Sequence, residues 1–251
     1  ADKLETLISI FISGKRPSGS SDPYALRRNL NGVVKIMWNF ELDFSIESLF
    51  EELIEYWKIS IPNLNFIQKK VFEDLIEFLL QRIESHLEEV AIDKEIIRAI
   101  CSSDKFFKKR ILNITDLKNR IEAILVYKER GSFDKIQKII TRVSKLADSG
   151  NLKKDVLSNE GYINQELFEK QCELKVFKFI EELEEIFTKD DLNYLKLMNL
   201  FEMNTKNLEE LFDNEKGVLV MSENNKIREN RLNLLGVIRN YSLKIIDFTL
   251  L

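Results

Sequence analysis

In SFDKIQKIITRVSKLAD, residues 132 to 148, the apolar side chains Phe133, Ile136, Ile139, Ile140 and Val143 recur at steps of three and four. That spacing places them on one face of an α-helix and is incompatible with a strand, whose faces alternate every second residue. Lys135, Lys138, Arg142 and Lys145 recur at the same steps and line a separate face. The helical period returns along the whole chain, whereas no stretch of useful length alternates and no internal repeat appears. Only 3 Pro and 8 Gly interrupt 251 residues, and the sequence is rich in Leu, Ile, Lys, Glu and Asn. Such a chain propagates helix wherever it has no turn residue to stop it. The fold expected is all-α, a helical bundle.

Start and stop signals divide that bundle. Leu4, Leu7, Ile8 and Phe11 form the stripe of a first helix over 2–13, and Gly14 ends it, because glycine takes a left-handed C-cap at no steric cost. GKRPSGSSDPYALRR follows, with Asp22 as N-cap and Pro23 at the first helical position of a helix over 23–40. Ser45 caps a short helix before Pro62, a long one spans 65–89, and Asp93 opens another through Ile100. Thr115 or Asp116 starts a helix ending near Gly131, and Ser132 caps the next. Beyond the polar stretch DSGNLKKDVLSNEGYIN, helices are expected at 164–188, 190–202, 205–216 and from Ser222 to about Asp247. The last has Leu234, Ile238, Tyr241 and Ile245 inward, with Arg228 and Arg231 projecting from its first turns.

The net charge of −4 conceals an asymmetry. Residues 98–145 hold 13 Lys/Arg against 5 Asp/Glu, leaving 25 against 37 elsewhere. A basic block inside an acidic chain is the footprint expected for a polyanion. KFFKKRIL mixes Lys105, Lys108, Lys109 and Arg110 with Phe106 and Phe107, which suits unpaired RNA, since phosphates need cations and bases need flat apolar faces. The stripe Lys135, Lys138, Arg142, Lys145 adds to the same block. Arg228 and Arg231 can fork onto phosphate or guanine, or pair with a neighbouring acidic helix. For all these residues a plainer reading stays open: phenylalanines in the core and cations in water.

Other chemistries find little support. The lone His86 sits among glutamates with no cysteine or aspartate cluster and reads as a surface residue. GKRPSGSS has the wrong spacing for a phosphate loop and no strand before it. Glu181, Glu182, Glu184 and Glu185 read as a solvated helix face. Cys101 and Cys172 have no CxxC partner, so a reducing compartment is expected. No apolar run is long enough for a bilayer. No catalytic residue and no metal ligand is assigned. The opening ADKLETLISIF, without Met and already amphipathic, reads as a piece of something longer.

ADKLETLISIFISGKRPSGSSDPYALRRNLNGVVKI resembles the stretch ADK-x-D-TL…G-x-x-P-x-GS-x-DP-[FY]-ALRR of bacterial glycyl-tRNA synthetase β subunits. VLVMSENNKIRENRLNLLGVIRNYSLKIIDFTLL is similar to the C-terminus of that family, and TRVSKL to its KRV-x-N-[IL] segment, with Arg142 as the arginine. The resemblance implies a C-terminal piece of a longer subunit, in the cytoplasm. It implies the end of an HD-like domain with a connecting helix at 1–42, then a DALR-like anticodon-binding domain at 43–251. In that family an α2β2 enzyme charges glycine tRNA; the α subunit holds the site for glycine and ATP with Mg2+, and β binds the tRNA. No cofactor is implied within this chain. Arg27 and Arg28 would contact RNA or, with Asp22 and Pro23, pin the junction. Asp2 matches the last HD-type aspartate, but one aspartate cannot hold a metal, which disfavours a hydrolase remnant. A structural module docking other synthetase domains is the other alternative. Asn29 and Asn31 replace residues usually small, and Lys145 replaces the usual Asn, which weakens a base-specific role there.

Overall fold

The computed structural model describes residues 2–17, 21–22, 24–42, 44–101, 112–187 and 193–251. Its regular elements among these are ten α-helices and two short 3-10 turns, so the all-α expectation holds. Two compact units divide after Lys118. The boundary inferred from family likeness, after residue 42, falls inside the first of them.

Unit 1 contains α1 (Asp2–Ile12), α2 (Leu26–Phe40), α3 (Ile46–Ser60), α4 (Gln68–Glu89) and α5 (Lys94–Ile100). The long α4 packs against each of the others. Leu75, Leu79 and Ile83 bury one face of it with Leu7, Leu30, Val34 and Phe50, and Phe78 tilts onto Phe11 at 5.4 Å between centroids. Gly14 has φ +77°, and the amides of Gly14 and Lys15 donate back to Phe11 and Ile10. This is the doubly bonded stop in which a left-handed residue satisfies two orphan carbonyls. Gly131 repeats it, with φ +73° and Ser132 N–H donating to Tyr127.

The start of α2 departs from expectation. The helix begins at Leu26, after Ala25 in left-handed geometry at φ 55°. The Asp22 carboxylate still accepts from the first amides, Leu26 at 2.8 Å and Arg27 at 3.1 Å, but from a turn earlier than a standard N-cap. Pro23 lies outside the described residues. Ser45 caps α3 as expected, its hydroxyl accepting from Ser48 N–H at 3.1 Å.

His86 is the main surprise of this unit. It is 5% exposed, neither ring nitrogen has a hydrogen-bond partner, and its ring stands edge-on to Trp38 at 5.1 Å. It is therefore a buried aromatic filler rather than a surface residue. Burial pushes the imidazole pKa down; nearby Glu89 raises it and Lys35 lowers it, and burial prevails. The unfolded chain binds a proton at His86 more readily than the folded one, so stability is lost as pH falls through the ordinary imidazole range near 6.5. Replacing His86 with leucine is expected to flatten that loss between about pH 7.5 and 5.5. Urea midpoints at those two values check it, and an equally steep loss in the variant would place the acid sensitivity elsewhere.

Unit 2 contains α6 (Ile114–Glu129), which begins before the division, then α7 (Phe133–Ala147), α8 (Gln171–Phe187), α9 (Tyr194–Leu211) and α10 (Asn225–Ser242), with 3-10 turns at Gln165–Leu167 and Phe248–Leu250. Asn113, not Thr115 or Asp116, caps α6, accepting from Asp116 N–H at 2.8 Å. Ser132 precedes α7 but makes no cap bond. The helices expected at 190–202 and 205–216 are one helix, α9. Asn204 and Thr205, which look like a break, bond back to Leu200 and Glu202 carbonyls of their own helix. Asn224 rather than Ser222 caps the last helix.

The helix α10 packs on α7 and α8 and is buried at every position from Asn230 to Ser242 except Asn233. Leu234, Ile238, Tyr241 and Ile245 lie inward as expected. A helix buried nearly all round leaves no room on some faces. A Cβ on Gly236 would stand 2.8 Å from Leu152 Cδ2. The connection before α8 is tied to α10 by side chains: Asn240 donates to the carbonyls of Lys153 and Val156, both at 2.7 Å. Asn230 exchanges two bonds with the Asn164 backbone.

Candidate functional site

The α7 stripe is where the sequence places it. Phe133, Ile136, Ile139, Ile140 and Val143 are buried, and Lys135, Lys138, Arg142 and Lys145 are exposed along the opposite face. Lys135 lies 4.0 Å from Glu209, a loose surface pairing. The guanidinium of Arg142 lies over the ring of Phe212, 4.3 Å from its centroid. A cation–π contact of this kind restrains an arginine that would otherwise swing freely.

Beside the stripe lies a cleft of about 540 Å³, bounded by Arg142 and Leu146 of α7, Glu169 and Lys170 ahead of α8, and the 212–222 loop. The loop is shaped by Asp213, whose carboxylate accepts from the amides of Glu215 and Lys216 at 2.9 and 2.8 Å. Those two bonds hold the carboxyl below its usual range. Lys170 donates to the Glu215 carbonyl at 2.9 Å. Gly217 is required by close approach: a Cβ there would come within 2.4 Å of the Leu211 carbonyl oxygen. Leu219 and Met221 stand exposed on the rim. The sequence reading missed this cleft, although D-N-E-K-G carries the signature of a tight turn.

Arg231 lies in its floor. It is 3% exposed; its Nε donates to Glu173 at 2.8 Å, Nη2 to Glu169 at 2.6 Å and Nη1 to the Leu219 carbonyl at 3.0 Å. Of its two sequence readings, the structure takes the pairing with acidic α8. Arg228 spends its fork on the Ser222 carbonyl and Asn225, bracing the turn into α10. Glu184, expected in a solvated face, accepts from the amide and side chain of Asn159 and so anchors the loop before α8.

The remaining sequence candidates are scattered. Lys105, Phe106, Phe107, Lys108, Lys109 and Arg110 lie outside the described residues. Arg27 donates to the Ser21 carbonyl at 3.3 Å, holding the loop by a hydrogen bond rather than an ion pair. Arg28 is exposed. Among the described residues no group of three or more His, Cys, Asp or Glu side chains is placed to hold a metal, and no helix is long and apolar enough to cross a membrane.

Comparison with known proteins adds a family. The model of the glycyl-tRNA synthetase beta subunit matches residues 1–102. The glycine–tRNA ligase beta subunit of Picosynechococcus sp. is 34% identical over 98% of this chain and 35% of its own length. That of Trichodesmium erythraeum is 35% identical over 99% of this chain and 35% of its own. The corresponding subunit of Persephonella marina is 28% identical over 99% and 34%. The chain thus spans about a third of the length of the curated relatives it matches.

Proposed function

Because this chain belongs to the glycyl-tRNA synthetase beta subunit family, we propose that it is the part of a glycine–tRNA ligase beta subunit that recognises tRNA. The observation that carries this reading is the exposed row Lys135, Lys138, Arg142 and Lys145 beside a cleft, in a chain that is acidic overall. Cations at one helical turn's spacing match the repeat of phosphates along a strand, and they bind without reading sequence. On this reading the anticodon-binding role belongs chiefly to unit 2, within the proposed DALR-like domain at 43–251, while 1–42 closes an HD-like domain. The α subunit of an α2β2 cytoplasmic enzyme would activate glycine with ATP and Mg2+ and esterify it to the tRNA. This chain would supply affinity and identity, not bond chemistry.

The test is fluorescence anisotropy of the chain with labelled glycine tRNA and an anticodon-swapped version, each at low and moderate salt. Tighter binding to the correct anticodon supports the proposal, and absence of binding to either sinks it. The triple change Lys138→Glu, Arg142→Glu, Lys145→Glu is expected to weaken binding at low salt by at least about tenfold and to lower the salt slope. An unchanged slope would remove the stripe from the interface. Phe40, Tyr56, Ile59 and Ile67 are exposed on unit 1, which favours a second role for that unit in docking other synthetase domains.

A further inference from the structure

The geometry points to the cleft beside Arg142 as a socket for one unstacked nucleobase bearing an amino group, with the flanking phosphates held by Lys138 and Lys145. This rests on the tRNA-binding reading and assigns it a contact. Three features of the cleft select the ligand. First, the Arg142 guanidinium carbon lies over the Phe212 ring, 4.3 Å from its centroid, while the side chain is exposed. A guanidinium held over one ring and still open to solvent can take a second flat ring, a common way to hold a splayed base.

Second, cations do not line the cleft alone. Glu169 and Asp213 both line it. Glu169 Oε2 accepts from Arg231 at 2.6 Å and Asp213 Oδ1 accepts from two backbone amides; the second oxygen of each carboxylate has no such bond. Two carboxylates repel a phosphate but accept from the exocyclic amine of cytosine, adenine or guanine. Uracil offers no amine. Third, Lys138 and Lys145 stand one turn to either side of Arg142 on the exposed face of α7, so cations for the sugar–phosphate chain are also available outside the cleft, where the strand would pass. Leu219 and Met221 supply apolar rim for the edge of the ring.

The experiment measures binding of short oligocytidine, oligoadenosine and oligouridine of equal length to the wild-type chain and to Arg142→Lys and Phe212→Leu. Glycine tRNA runs in parallel. Wild type is expected to bind oligocytidine and oligoadenosine about tenfold more tightly than oligouridine. Arg142→Lys keeps the charge and loses the plane, so it is expected to erase that preference while retaining the salt dependence. Phe212→Leu should reduce the preference without altering the salt slope, with circular dichroism as the check that both variants fold. Equal binding of all three oligomers by wild type, or an undiminished preference in Arg142→Lys, overturns the socket. If tRNA still binds in that case, the tRNA-recognition reading survives; if tRNA binds nowhere, both fall.

Discussion

Replacing Arg231 with methionine is expected to lower the stability of unit 2 by about 3–5 kcal/mol, the cost of leaving a buried charge without its partner. Glu173 is 0% exposed and its carboxylate has two jobs. One oxygen meets Arg231 Nε at 2.8 Å; the other accepts from the amides of Glu169 and Lys170 at 2.7 and 3.0 Å. Removing the guanidinium strands that carboxylate and also frees the Leu219 carbonyl, loosening both the entry to α8 and the 212–222 loop. The double change Arg231→Met, Glu173→Met is expected to recover part of the loss, because no buried charge remains. Arg228→Ala, which removes only turn bonds, should cost about 1 kcal/mol. Urea unfolding followed by circular dichroism ranks the three, and a single Arg231→Met variant within about 1 kcal/mol of wild type would contradict the burial argument.

Asn240→Ala is expected to cost about 3 kcal/mol, since several buried groups lose their partner together. Asn240 is 0% exposed. Its amide donates to the Lys153 and Val156 carbonyls, and its oxygen accepts from Nε and Nη2 of Arg239 at 3.1 and 3.0 Å. Arg239 in turn holds Asp148 at 2.9 Å and the Leu152 carbonyl at 2.8 Å. Asn240 is thus the pin joining α10 to the loop after α7, and that loop carries Lys153 and Lys154, both exposed. Limited trypsin digestion should therefore cut there faster in the variant while other sites keep their rate. A uniform rise in cutting would indicate general unfolding, and unchanged cutting would mean that the loop is held by other groups.

The way these residues were, or were not, readable from sequence has a physical cause. Apolar spacing predicted which side of α7 faces inward because burial is dictated by the helix's own period, a local property. Gly14, Gly131 and Ser45 were readable for the same reason: cap chemistry acts within one turn. Arg142 and Arg231 look alike in sequence, each one step before a buried apolar residue, Val143 and Leu232, yet one is exposed and one buried. What separates them is the packing of α8 against α10, and long-range pairing leaves no local mark. His86 was misread because its glutamate neighbours in sequence are exposed, while Trp38 covers it from another helix. Helices at 190–202 and 205–216 were expected, but between them the side chains of Asn204 and Thr205, buried within unit 2, satisfy carbonyls of their own helix, and α9 continues. The cleft of the candidate site needs four separated segments and so had no signature beyond its turn.

Both tryptophans, Trp38 and Trp57, fall in unit 1, and unit 2 has none. Trp38 stands 5.1 Å from the buried imidazole of His86. Indole emission is therefore a private optical channel for the first unit: it should register acid titration of His86 and melting of α2 against α4. A dye on the RNA emits at another wavelength, so one sample can report its scaffold and its ligand in two separate colours.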